Sequence, residues 1–113
     1  MRRGDIVTVA GGVYASKPRP ALVVQDDRFD ATDSVTVCPF TTTEVDAPLL
    51  RVPVVANEAN GLGQDSYLMV DKITTVPKSR IGDPVGRLDD EDIVRLNQAM
   101  MVFLGLTVSP RMR

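Results

Sequence analysis

The sequence contains no histidine, no tryptophan and a single cysteine, Cys38. Without histidine there is no Ser-His-Asp triad, no imidazole acid–base pair and almost no route to a zinc site. One cysteine excludes an internal disulfide and suits a reducing compartment. No apolar run approaches the ~18 residues of a membrane span, and no apolar stretch follows a basic start as in a secretory signal. A cytoplasmic protein is therefore expected, with no membrane partner. A glycine-rich phosphate loop is also missing. Any enzymatic chemistry falls to arginine, threonine, serine, tyrosine, lysine or carboxylates, with neither metal nor cofactor expected.

What is present fits one small domain. The chain has 113 residues and is 43% hydrophobic. The sequence predicts a single domain over residues 1–108 and a frayed tail over 109–113. A domain this small buries a modest share of its surface, so an oligomeric interface would add to its stability. Thirteen basic and fifteen acidic residues leave a formal net charge of -2. A role on nucleic acid would need a local basic patch.

The first two-thirds reads as short strands. Ile6, Val7 and Val9 make the first, broken by Gly11-Gly12. A loop through Tyr14 and Ser16 leads to Ala21-Leu22-Val23-Val24, a continuous apolar run that marks a strand buried on both faces. A polar turn with Asp26, Asp27 and Asp30 precedes a strand over 34–40. Polar residues 41–44 follow it. Residues 50–56 form another strand, and Pro53, which cannot donate to a ladder, places it at an edge or bulge. A strand over 67–73 comes next. Residues 77–81 look like one helical turn closed by Gly82, and 85–88 like a short last strand. The helix over 89–104 has Asp89 as its cap, acidic residues in its first turn, an apolar face of Ile93, Leu96, Met100, Phe103 and Leu104, and Gly105 at its end. Many short strands and one terminal helix predict a mainly β protein, a small bent sheet or partial barrel with the helix against it.

Two places are candidates for chemistry. In Lys17-Pro18-Arg19-Pro20 the flanking prolines give Arg19 a stiff mount before the most buried strand. Its planar fork suits a phosphate, or simply a surface salt bridge. In Pro39-Phe40-Thr41-Thr42-Thr43 a hydroxyl at the strand end could hold a phosphate oxygen, although threonines also favour strand ends for their own sake. If the two strands are adjacent and antiparallel, Arg19 faces Thr41 at one rim of the sheet. Cys38, inside an apolar run, reads as a small buried hydrophobe.

Several segments resemble the MazF/PemK toxins in the family's order. They are Arg3-Gly4-Asp5-Ile6-Val7, Lys17-Pro18-Arg19-Pro20-Ala21-Leu22-Val23-Val24-Gln25, and Val35-Thr36-Val37-Cys38-Pro39-Phe40-Thr41. Further on come Asp65-Ser66-Tyr67-Leu68-Met69-Val70-Asp71-Lys72-Ile73-Thr74-Thr75-Val76, Lys78-Ser79-Arg80-Ile81-Gly82 and Gly86-Arg87-Leu88. The resemblance implies an SH3-like, CcdB-like barrel that forms homodimers, cuts single-stranded RNA and is blocked by a cognate antitoxin. It sets Arg19 at the family's catalytic arginine and Thr41 at its catalytic threonine. Asp71 and Lys72 fall where members contact RNA, and Lys17, Thr42 and Arg80 complete the expected RNA-binding set. The loop before Arg19 departs from the family pattern, since it carries no glutamate or glutamine.

The second half also resembles CcdB-type gyrase poisons, through Asp65-Ser66-Tyr67-Leu68-Met69, Ser79-Arg80-Ile81-Gly82 and the helix ending Leu104-Gly105-Leu106. That alternative makes DNA gyrase the target. The missing aromatic before Gly105 and the Arg19-Pro20 strand favour the nuclease.

Overall fold

The computed structural model describes residues 1–11 and 17–106. The expected tail at 109–113 and the loop positions Gly12, Tyr14 and Ser16 lie outside the described residues.

The strands are β1 (Asp5–Val9), β2 (Arg19–Val23), β3 (Ser34–Thr41), β4 (Arg51–Val54), β5 (Ser66–Met69), β6 (Thr74–Pro77) and β7 (Ile81–Arg87), followed by helix α1 (Asp90–Phe103). The pairings are antiparallel, and the sheet runs β4-β5-β3-β2-β1-β7 with β6 added to β3. The mainly β expectation with one C-terminal helix holds. The sheet is not closed, in keeping with a partial barrel: its path ends on open edges at β4 and β7. Pro53 lies on edge strand β4, as its missing N–H requires.

Strand β3 is long enough to serve two partners along one edge. Its first half pairs with β6 from Ser34↔Pro77 to Val37↔Thr74, and its end pairs with β5 through Phe40↔Leu68 and Thr41↔Tyr67. The strand expected over 67–73 stops at Met69 and gives way to a 3-10 turn at Val70–Lys72, and a further strand, β6, follows where none was expected. The turn lets the chain leave the end of β3 and rejoin its beginning.

Both faces of the central strands are buried, as the apolar run in β2 foretold. Leu22, Cys38, Phe40, Leu68 and Val70 join Ile6, Val52, Val54, Leu88 and Leu96 in one core, on the side that α1 covers. Val7, Ala21, Val23, Val35, Val37 and Val76 form a second core on the opposite face. Alternate residues of one strand thus feed two clusters. Cys38 is fully buried, donates its Sγ–H to the Met69 carbonyl at 3.4 Å, and is pushed up to about 12 by burial. It is a packing residue.

The helix starts and ends where its residues require, with two differences. Asp89 occupies the cap position but makes no capping bond; its carboxylate accepts from Asn57 Nδ2 at 3.2 Å. At the other end Gly105 takes a positive φ of 73°, and the amides of Gly105 and Leu106 close the last turn. Leu96 is fully buried, with Ile93 and Met100 packed beside it. Phe103 and Leu104, expected on the covered face, are 45% and 60% exposed, because the packed face of the helix is confined to Ile93, Leu96, Ala99 and Met100. The turn expected over 77–81 is a 3-10 turn, Lys78–Arg80. Gly82 does not close it but belongs to β7, where a Cβ would come within 2.4 Å of Thr8 Oγ1.

Residues 57–62 cross over β7. Gly61 has a φ of 69° and its missing Cβ would stand 2.0 Å from the Val85 carbonyl oxygen, so only glycine allows the approach. Asn60 is fully buried and organises this crossing. Its Oδ1 accepts from the amides of Asn57 and Leu62, both at 3.0 Å, while its Nδ2 donates to the Val55 carbonyl at 2.9 Å. Replacing Asn60 by alanine strands these backbone groups, and we expect a loss of about 2–4 kcal/mol in urea unfolding. A loss below about 0.5 kcal/mol would show that the crossing holds without it.

Acid should act on a second tie. The Asp30 carboxylate lies between the Lys78 ammonium at 3.1 Å and the terminal amine of Met1 at 3.2 Å. The bonds from Lys78 and from that amine hold its carboxyl below the ordinary value. A lowered folded value means that the contribution is complete above the unfolded carboxylate range and lost as pH falls through the folded value. Melting temperature measured from about pH 6 down to pH 2 should fall less steeply for Asp30→Asn than for the parent, with the gap closing in acid. Parallel curves would place the acid sensitivity elsewhere.

Candidate active site

The β2–β3 ladder brings the two candidate segments together. Its recorded pairs run Val23↔Val37, Leu22↔Cys38 and Ala21↔Pro39. Two further steps in the same register set Arg19, the first residue of β2, opposite Thr41, the last residue of β3. Strand alternation gives Arg19 the same face as Ala21 and Val23. Arg19 is exposed, and Pro20 behind it is held opposite Thr8 of β1. The mount foreseen from the flanking prolines is thus a strand end paired on one side to β1 and on the other to β3.

Arg19, Thr41 and Thr42 line one small recess of about 60 Å³ together with Pro20, Phe40 and Ser66. Thr41 Oγ1 accepts the Thr43 amide at 3.2 Å, which leaves the hydroxyl proton free to donate. On its other side Arg19 borders a wider cavity of about 320 Å³, which also includes Pro39, Thr74, Thr75 and Arg80. Arg19 therefore stands between two openings, with a hydroxyl rim on one side and a second guanidinium across the other. Lys17 is exposed two residues before it.

Asp71 and Lys72 line neither cavity. Both sit in the 3-10 turn after β5. Asp71 is bonded to Arg51 Nη1, and Lys72 Nζ lies 3.9 Å from its other oxygen. Burial alone would push the Asp71 carboxyl up. The bond and charge of Arg51 outweigh it, and the group stays below its ordinary value. Asp71 is thus an ionised acceptor, largely engaged by a partner that the sequence did not reveal. Arg51 begins β4, opposite Met69 of β5. Twenty residues separate it from Asp71, and no local pattern marks such a pair. Tyr67 was also missed: it lies directly opposite Thr41 on one side and Pro53 on the other.

Chemically, the recess offers a fixed positive charge and a free hydroxyl donor at one strand end. That combination stabilises charge on a phosphoryl group. Thr41, Thr42 and Ser66 bring hydroxyls to the recess, but no carboxylate or amine base stands among its lining residues to activate one, and Cys38 is buried within β3.

A model of the PemK-like, MazF-like toxins of type II toxin–antitoxin systems matches residues 2–104. A probable endoribonuclease MazF of Mycolicibacterium smegmatis is 58% identical over 107 residues, which cover 94% of this chain and 98% of that one. Endoribonuclease MazF9 of Mycobacterium tuberculosis is 31% identical over 116 positions, with the same coverage of 94% and 98%. Among solved structures, an endoribonuclease in complex with its cognate antitoxin, from a mycobacterial species, matches with a TM-score of 0.78 at 25% identity, over 96% of this chain and 99% of that one. With nearly its whole length matched in sequence and in fold, the chain belongs to the PemK-like, MazF-like toxins of type II toxin–antitoxin systems.

Proposed function

We propose that this protein is the toxin of a toxin–antitoxin pair and a sequence-specific endoribonuclease that cuts single-stranded RNA without a metal, with Arg19 and Thr41 at the reacting phosphate. The observation that carries the site is the shared recess, which Arg19 of β2 and Thr41 of β3 line together. The relatives bear the name endoribonuclease, and the gyrase-poison alternative is not favoured.

RNA supplies its own nucleophile. The 2′-hydroxyl gives up its proton to water and its oxygen forms a bond to phosphorus, while the bond from phosphorus to the 5′-oxygen breaks and that oxygen takes a proton from water, leaving a 2′,3′-cyclic phosphate and a 5′-hydroxyl. The protein must hold the two oxygens in line and stabilise the extra negative charge on the phosphoryl oxygens. Arg19 supplies a charge that does not titrate near neutrality, and Thr41 donates its hydroxyl proton to a phosphoryl oxygen. Arg80, Lys17 and Thr42 hold the strand beside the cut. Lys72 and the Asp71 carboxylate, fixed by Arg51, contact it further along.

The protein acts as a homodimer in the cytoplasm. Met101, Val102, Phe103, Leu104 and Leu106 at the end of the helix, and Val94 in its first half, are exposed apolar residues that a second copy would cover. No helix among the described residues is long and apolar enough to cross a membrane. The cognate antitoxin, in this reading, lays an acidic segment over Arg19 and Thr41.

The test is a long unstructured RNA incubated in EDTA with the protein and with Arg19→Ala, followed by mapping of the ends. The protein should cut at one short motif, and the variant, folded as judged by its melting curve, should cut at least about 100-fold more slowly. Thr41→Val should be impaired in the same direction and Thr41→Ser much less. Equal cutting by Arg19→Ala would remove Arg19 from the site. No cutting by the free toxin on RNA of broad sequence would overturn the nuclease reading and send the search to gyrase.

A further inference from the structure

A second opening adjoins the recess. A groove of about 610 Å³ runs between the segment after β3 and the outer face of β4 and β5, with Glu44, Asp46, Pro48, Arg51, Pro53 and Tyr67 in its walls. It is continuous with the site by strand register. Thr41, Tyr67 and Pro53 lie opposite one another on β3, β5 and β4. Neighbouring strands are about 4.8 Å apart, so the groove begins one strand away from the reacting phosphate. That is within reach of the base on an adjoining nucleotide.

The lining suits a base and repels a phosphate. Tyr67 offers an aromatic face and Pro53 a flat apolar one beside it. The Arg51 guanidinium is neutralised by Asp71 and also donates to the Leu50 carbonyl at 3.0 Å, so it does not draw an anion inward. Glu44 and Asp46 are exposed, and among the described residues neither carboxylate takes part in an ion pair. Ionised carboxylates accept hydrogen bonds and cannot donate them. They favour a base edge that carries an amine. Uracil has no exocyclic amine; its pairing edge sets a carbonyl on each side of one N–H, and those carbonyls would face the carboxylates.

We infer that this groove reads one base next to the cut, accepts a nucleobase with an exocyclic amine and refuses uracil. The inference rests on the nuclease reading above and adds the residues that set its specificity.

A random-sequence RNA pool, cut by the protein and by the double variant Glu44→Gln/Asp46→Asn and sequenced at the ends, tests it. In the parent profile, uracil should be depleted about fivefold or more at one of the two positions flanking the cut. In the double variant, whose amides can donate to a carbonyl, uracil should return there by about threefold or more while cutting continues. A second measurement needs no variant. A single-site substrate with cytosine at that position should be cut about tenfold faster than the same substrate with uracil, the effect of one hydrogen bond. Equal rates, or depletion unchanged in a double variant that cuts, would overturn the inference and leave the nuclease reading standing. No cut by the parent would overturn both.

Discussion

Ala21, Leu22 and Val23 meet Pro39, Cys38 and Val37 across the β2–β3 ladder, and most of what the molecule does follows from those three pairs. Side chains alternate along each strand, so the ladder delivers Leu22 and Cys38 to the core beneath the helix and Ala21, Val23 and Val37 to the core on the far side. A slip of one residue would exchange the two sets. The same register carries Arg19 to Thr41. The site is therefore fixed by the packing of apolar residues two positions away from it. Neither of the two side chains needs a bond to the other.

Burial on both faces also explains why a chain of this size can leave polar groups idle at its rim. The strand ends project beyond the cores, where Arg19 and Thr42 are exposed and Thr41 is half-buried. A guanidinium at the end of a paired strand loses little freedom when it meets a phosphate, because its backbone is already held. Pro18 and Pro20 restrict it further.

The parts of this arrangement that were legible in the sequence are those written in neighbouring residues. The unbroken apolar run at residues 21–24 announced a strand covered on both sides, Pro53 announced an edge, and the proline-flanked Arg19 announced a stiff mount. Strand β6 was hidden because only Val76 in it is buried, so its sequence shows no alternation; its strand character comes from β3. The end of α1 was misread for a related reason. Period alone cannot say how far along the helix the core extends, and Phe103 and Leu104 stay exposed in the protomer. Arg51 and the groove beside Tyr67 depend on β4 and β5 being laid side by side, a long-range fact with no local signature. Asp71 was identified by resemblance, but the partner that keeps it ionised was not.

An acidic protein that handles RNA must keep its positive charge where it counts. Arg28, Arg51, Arg87, Arg95, Lys72 and Lys78 all lie within ion-pair distance of a carboxylate. Among the described residues, Arg2, Arg3, Lys17, Arg19 and Arg80 take part in none. Arg19 and Arg80 border one cavity, and Lys17 is two residues from Arg19. The formal charge of -2 therefore conceals a local excess of unpaired cations around the strand ends. Such a patch holds a strand through a few phosphates only, so electrostatics can position RNA without fixing it tightly. Discrimination then falls to the neighbouring walls, where the groove beyond Tyr67 turns from positive to negative. A backbone attracted to one side and bases admitted to the other give the strand a single orientation across the sheet, and that orientation is what an in-line attack at one phosphate requires.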